Sequence, residues 1–156
     1  MIIRCINERL TNYCYLAYKI KSEEYIKNKT DGKIGRVDIT INSTDRHNRF
    51  AIILENKWES GDSCVDQVFK YYTNYTEQQG KGYTDKNLIV IYLTRLGNNP
   101  TNTENKRFKM FLSENKGVNY FPISYDYTVK NWLKKCVQAC KSEKVKYTIE
   151  QYLKFI

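Results

Sequence analysis

No apolar run in this chain approaches the roughly 20 residues that a membrane span requires. The N-terminus has no signal-peptide pattern either. A soluble, cytoplasmic protein without a membrane partner is expected. Cys-x-x-Cys is also absent, and the five cysteines (Cys5, Cys14, Cys64, Cys136 and Cys140) are odd in number. Both facts argue against a disulfide framework and for reduced, mostly buried thiols. The only histidine, His47, lies in a polar loop between Arg46 and Arg49. A nucleophilic or metal role would need fixed partners there, so solvation or a phosphate contact is the stronger reading. Internal repeats, low-complexity tracts and domain-splitting linkers are missing too, and 156 residues then imply one domain spanning 1–156. Acids are in short supply: 17 Asp and Glu face 26 Lys and Arg, a formal charge of +9. That excess favours polyanions, nucleic acid first, although a basic surface can also simply confer solubility.

What the chain does have is centred on two strand-like stretches. In Gly35-Arg36-Val37-Asp38-Ile39-Thr40-Ile41, alternation puts Val37, Ile39 and Ile41 on one face and Arg36, Asp38 and Thr40 on the other. Phe50-Ala51-Ile52-Ile53-Leu54 is apolar on both faces, as a strand covered on both sides should be. It ends in Glu55-Asn56-Lys57, with the acid and the base two apart and so on one face. If the two strands pair, Asp38 comes beside Glu55 and Lys57. Charges at the end of a buried strand are costly unless they bind a metal, a substrate or each other. Glu-Asn-Lys occurs three times, but the copies at Glu104 and Glu114 sit in polar sequence. Only the first closes an apolar strand.

Elsewhere the pattern is helical and strand-like in turn. Ile3, Ile6, Leu10, Tyr13 and Ala17 predict an opening helix over much of 2–20, with Glu8 on its far side. Asn28 to Lys33 reads as a polar turn around Asp31-Gly32. After Lys57, Gly61-Asp62-Ser63 opens a helix, with Ser63 and Asp66 spaced as a capping box. Val65, Val68, Phe69, Tyr72 and Tyr75 form its apolar stripe, and Gln67, Tyr71, Asn74 and Gln78 a polar one beside it. Asn87 to Thr94 is a buried strand, and strand–helix–strand order implies at least one parallel pair. A helix through Asn115 follows the loop at Leu96 to Thr103, then a short strand at Asn119 to Ser124. Asp126 is the expected cap of a helix with Val129, Trp132, Leu133, Cys136, Val137 and Cys140 along one stripe. Thr148 to Ile156 carries a last apolar face that must dock on the core, on a partner (a homodimer or another protein) or on a missing segment. The class is α/β, with a mixed sheet of four or five strands flanked by helices.

Gly35 to Ile39, Glu55 to Lys57, Gly61-Asp62, Gln67 and Tyr71, in this order, resemble the PD-(D/E)XK nuclease superfamily. The similarity lies with its bacterial branch carrying Gly-Arg-(Ile/Val)-Asp and Glu-Asn-Lys. It runs from about Glu24 to Trp132 and departs from the usual pattern in having Val37, not proline, before Asp38. The resemblance implies a restriction-endonuclease-like core and a metal-dependent nuclease, with DNA favoured over RNA as substrate and both left open. Asp38, Glu55 and Lys57 would be catalytic. Asp38, Glu55, the Asn56 carbonyl and Glu24 would hold Mg²⁺ or Mn²⁺, while Gln67, Tyr71 and Arg36 would meet the substrate. Some relatives carry an iron–sulfur cluster, but the cysteine spacings here do not match theirs. A nucleic-acid-binding module that does not cut, or an interaction subunit docking through its last helix, are the alternatives.

If a basic surface recruits nucleic acid, neutralised phosphates release counterions and affinity must fall steeply with salt. An oligonucleotide titration across salt concentrations checks this. A flat binding constant would exclude the electrostatic interface.

Overall fold

The computed structural model describes residues 18–27, 32, 34–45, 47, 49–58, 65–77, 83–97, 112–114 and 118–156. Five strands make one mixed sheet in sequence order: β1 (Tyr18–Lys27), β2 (Ile34–Ser43), β3 (Ala51–Lys57), β4 (Leu88–Thr94) and β5 (Asn119–Ser124). The first two pairings are antiparallel and the last two parallel. Helix α1 (Val65–Glu77) is the crossover between β3 and β4, as a parallel pair demands. The expected α/β class with a mixed sheet and flanking helices is what the chain adopts.

The core follows from the apolar runs. Ala51, Ile53, Leu88, Val90 and Tyr92 pack with Val68, Tyr71, Tyr72 and Tyr75 of α1. The opposite face gathers Phe50, Ile52 and Ile89, with Ile41, Ile91 and Phe121 against them. Alternation therefore holds through β3 and β4. In β2 it does not: Val37 belongs to the α1-side cluster, Ile41 to the other, and Ile39 is 38% exposed. The expected shared face of Val37, Ile39 and Ile41 is broken around Asp38. Glu23 of β1, which falls between the Ser22–Ile39 and Glu24–Val37 pairs, has φ +52. A left-handed non-glycine residue inside a strand is strained and marks where regular pairing gives way.

Two other expectations need correcting. The expected helix over 2–20 cannot include its last residues, because Tyr18 to Ile20 lie in β1; residues 2–17 and Glu8 fall outside the described residues. Asp126 is not the cap. Ser124 is extended, and its hydroxyl accepts from the N–H groups of Tyr127 and Thr128. A π-helical turn, Tyr125–Val129, leads from there into α2 (Lys130–Ala139). Asp126 sits inside that turn and pairs with Arg95 and Lys130. Ser142 caps α3 (Glu143–Phe155), which starts earlier than the pattern of apolar residues indicated. The Ser63–Asp66 box, Cys5, Cys14 and Cys64 lie outside the described side chains. Cys136 and Cys140 are free thiols, half-buried rather than buried. Among the described residues, no helix is long and apolar enough to cross a membrane.

One contact locks α1 to β2. Tyr71 is only 2% exposed, so it is a core residue and not part of a polar stripe. Its hydroxyl donates to the Arg36 carbonyl at 2.6 Å. A Cβ on Gly35 would lie 2.9 Å from the Tyr71 ring, closer than real Cβ contacts come. Gly35 is thus required by the ring beside it, and the two are predicted to be energetically coupled. Tyr71→Phe should destabilise by about 1 kcal/mol through the lost hydrogen bond. Gly35→Ala should destabilise by about 1–3 kcal/mol through overpacking, and by distinctly less in a Tyr71→Leu background. Urea unfolding of the four variants measures this; additive effects would mean the ring and the glycine do not constrain each other.

Candidate active site at the strand ends

Each acidic residue of the site is set by the place where strand pairing ends. The β2–β3 ladder runs from Asn42–Ala51 to Ile39–Leu54. One step further, the Asp38 carboxylate takes over: its Oδ2 accepts from the Asn56 backbone N–H at 2.7 Å. Glu55 is next to it on β3, opposite Tyr92 of β4 in the parallel register. Its side chain is only 1% exposed. Lys57, two residues on, donates to Glu55 Oε1 at 2.7 Å. The other oxygen, Glu55 Oε2, is buried with no hydrogen-bond partner among the described residues.

Burial pushes the Glu55 carboxyl above the ordinary glutamate range; Lys57 opposes this and nearby Asp38 adds to it. Arg36 also favours the charged form of Glu55 through space. Its side chain is half exposed and pairs with Glu23 at 3.4 Å. So the structure brings together Asp38, Glu55, Asn56 and Lys57, with Arg36 near enough to matter electrostatically.

Gln67 is half-buried on the first turn of α1, and its Oε1 is a second buried oxygen without a hydrogen-bond partner among the described residues. Tyr71 lies below the surface, its hydroxyl engaged by Arg36. Glu24 is not brought to Asp38 and Glu55. Among the described residues no third His, Cys, Asp or Glu joins that pair. Glu24 Oε2 instead accepts from Thr40 at 2.7 Å and from Tyr75 at 3.0 Å, while Lys21 pairs with Oε1. Burial alone would raise its pKa, but those three hydrogen bonds together hold it below the usual range. It lines a separate cavity of about 300 Å³ with Lys19, Asn42 and Tyr83. His47 donates its own backbone N–H to Asp45, an ordinary loop bond.

Two residues carried no signal in their own segments. Tyr125 donates to Asn56 Oδ1 at 3.0 Å, and its ring meets Trp58 edge-on, with centroids 5.1 Å apart. Both follow directly on the last residue of a strand, which is the one clue the sequence held.

A family model of the PD-(D/E)XK nuclease superfamily matches residues 6–154. The chain belongs to that superfamily. No curated protein and no solved structure matches it. Membership of the PD-(D/E)XK superfamily suggests nuclease activity, and nucleases of this superfamily generally use divalent metals. The donor set is compatible with such an ion. Glu55 Oε2 is an unspent, desolvated carboxylate oxygen, Asp38 is adjacent, and oxygen donors suit a hard cation.

The raised Glu55 has a consequence for stability. Between the ordinary glutamate range and its raised value, the folded protein holds a proton that the unfolded chain has lost. The stabilisation is therefore complete at low pH and is lost as pH rises through the raised value. Glu24, held low, acts in the opposite sense, losing its contribution as pH falls. Comparing wild type with Glu55→Gln isolates the first effect. In metal-free buffer, urea midpoints should shift in favour of Glu55→Gln as pH rises from 4 to 8. A difference independent of pH would contradict the burial of a titrating Glu55.

Proposed function

We propose that this chain is a divalent-metal-dependent nuclease that hydrolyses phosphodiester bonds, with DNA as its expected substrate. The observation that carries the reading is the buried Glu55, one oxygen against Lys57 and the other without a hydrogen-bond partner among the described residues, next to Asp38. A buried carboxylate left half-satisfied is destabilising on its own account. It makes sense as one ligand of an Mg²⁺ or Mn²⁺ ion shared with Asp38 and the Asn56 carbonyl. Such an ion, when bound, acidifies the attacking water and offsets charge on the phosphate.

The chain's own groups account for the remainder. Asp38 is fixed by the Asn56 N–H, so its carboxylate is held in place beforehand. Lys57 orients the water and opposes negative charge growing on the scissile phosphate. Arg36 adds positive charge at the rim. Tyr71 acts through Arg36, holding its backbone from below, and Gln67 presents a buried acceptor near the start of α1. Glu24, committed to Thr40 and Tyr75, is left out of the proposed ligand set.

Cleavage of plasmid, single-stranded DNA and RNA with Mg²⁺, Mn²⁺ or Ca²⁺ tests the reading. Asp38→Asn and Glu55→Gln should abolish cutting and weaken metal binding, yet bind nucleic acid in chelator, since less negative charge faces the phosphates. Lys57→Ala should keep metal binding and lose roughly 10²- to 10³-fold in rate. Ca²⁺ should support binding with little cutting, its coordination being looser. Wild type that binds but never cuts would replace the enzyme with a binding module.

A further inference from the structure

The parallel half of the sheet aligns three strand ends. Lys57 of β3 is in register with Thr94 of β4, and Thr94 with Ser124 of β5. The residues just past those ends are Trp58, Arg95 and Tyr125. They form one edge that begins at the Asp38–Glu55 pair and runs away from it across β4 to β5. Carboxyl ends of parallel strands are where open α/β sheets bind their ligands.

That edge is built rather than incidental. Tyr125 is tied to the site by its hydrogen bond to Asn56, the residue that also holds Asp38. It meets Trp58 at 64°, an edge-to-face contact rather than a stack. Trp58 keeps 40% of its surface exposed. Arg95 is mostly exposed and is fixed by Asp126 at 3.4 Å. Beyond Tyr125, residues 130–156 hold seven lysines against two glutamates, more than half of the chain's net positive charge. An exposed ring, Trp58, beside a half-buried one, Tyr125, on an edge that carries Arg95 can stack an unpaired base while a phosphate is held. A base inside a duplex has no free face to offer.

We propose that Trp58 and Tyr125 form a stacking subsite for an unpaired nucleobase next to the scissile phosphate. The protein then prefers single-stranded or frayed nucleic acid to closed duplex. This rests on the nuclease reading for its location but not for its test.

Binding is measured in chelator, where nothing is cut, with a labelled single-stranded oligonucleotide and a covalently closed dumbbell duplex. Trp58→Ala should weaken strand binding about 10- to 100-fold and leave the dumbbell little changed. Trp58→Phe should keep most of the strand affinity. With Trp132→Phe, Trp58 becomes the only tryptophan, and its fluorescence should be quenched by the strand and not by the dumbbell. Equal losses on both substrates, or none on the strand, would overturn the stacking site. So would Trp58→Phe behaving like Trp58→Ala, which is what a merely structural clamp between β3 and β5 allows. A protein that cuts nothing but shows the selective loss still supports the stacking site, and sinks the nuclease reading instead.

Discussion

The desolvated carboxylate of Glu55 is the constraint on which the rest of the site depends. It closes an apolar strand, with Ile53 in the α1-side core two residues before it and Tyr92 directly across on β4. Among the described residues Lys57 meets one oxygen directly, and Arg36 adds only a through-space attraction. An ion pair so enclosed contributes little to stability, because desolvation offsets most of the Coulomb attraction. A core of this kind would be more stable with an apolar residue in place of Glu55. Its retention of a half-satisfied acid is therefore an argument for function, and the superfamily assignment gives that argument its chemistry.

Holding two carboxylates near each other requires that the backbone keep them from moving apart. Asp38 lies one step beyond the last β2–β3 pair, and its side chain substitutes for the missing ladder bond. Behind it, β2 is fixed by Tyr71, whose ring packs on Gly35 and whose hydroxyl takes the Arg36 carbonyl. The Gly-Arg-Val-Asp and Gln-x-x-x-Tyr patterns are thus two halves of one contact. The glycine exists for the tyrosine, and the tyrosine sets the height of the strand that carries Asp38. Repulsion between Asp38 and Glu55 is resisted by this packing, and Lys57 and Arg36 relieve part of it.

Legibility in the sequence followed how local each signal was. Strands β3, β4 and β5 and helix α1 were readable because their apolar runs or stripes lie within single segments. β1 was not: of its ten residues only Ile26 is buried, and an edge strand rich in Lys and Glu has no alternation to read. Its first three residues happened to continue a helical period. Asp38 and Glu55 could be paired in advance because neighbouring strands were enough to bring them together. Tyr71 could not be placed in advance, since the space it fills is made by a glycine 36 positions away. Glu24 was readable as an acid near the first strand, but its three partners, Lys21, Thr40 and Tyr75, come from three elements. The Ser124 cap was missed by two residues because Asp126 is an equally good capping type.

The side chains around Asn56 join these levels. Its N–H positions Asp38, and its side-chain oxygen receives Tyr125 from the far strand end. One residue therefore connects the acidic pair to the aromatic edge, across the width of the parallel half-sheet. The arrangement separates two kinds of side chain by sheet geometry. Residues 55 and 57 share the side of β3 that Ile53 puts in the α1-side core, with Glu55 buried and Lys57 partly exposed. Residues 56 and 58 alternate to the other side, where Trp58 stays in contact with solvent. Period-two alternation at the end of one strand is enough to put the acid–base pair and the exposed ring on opposite sides of it.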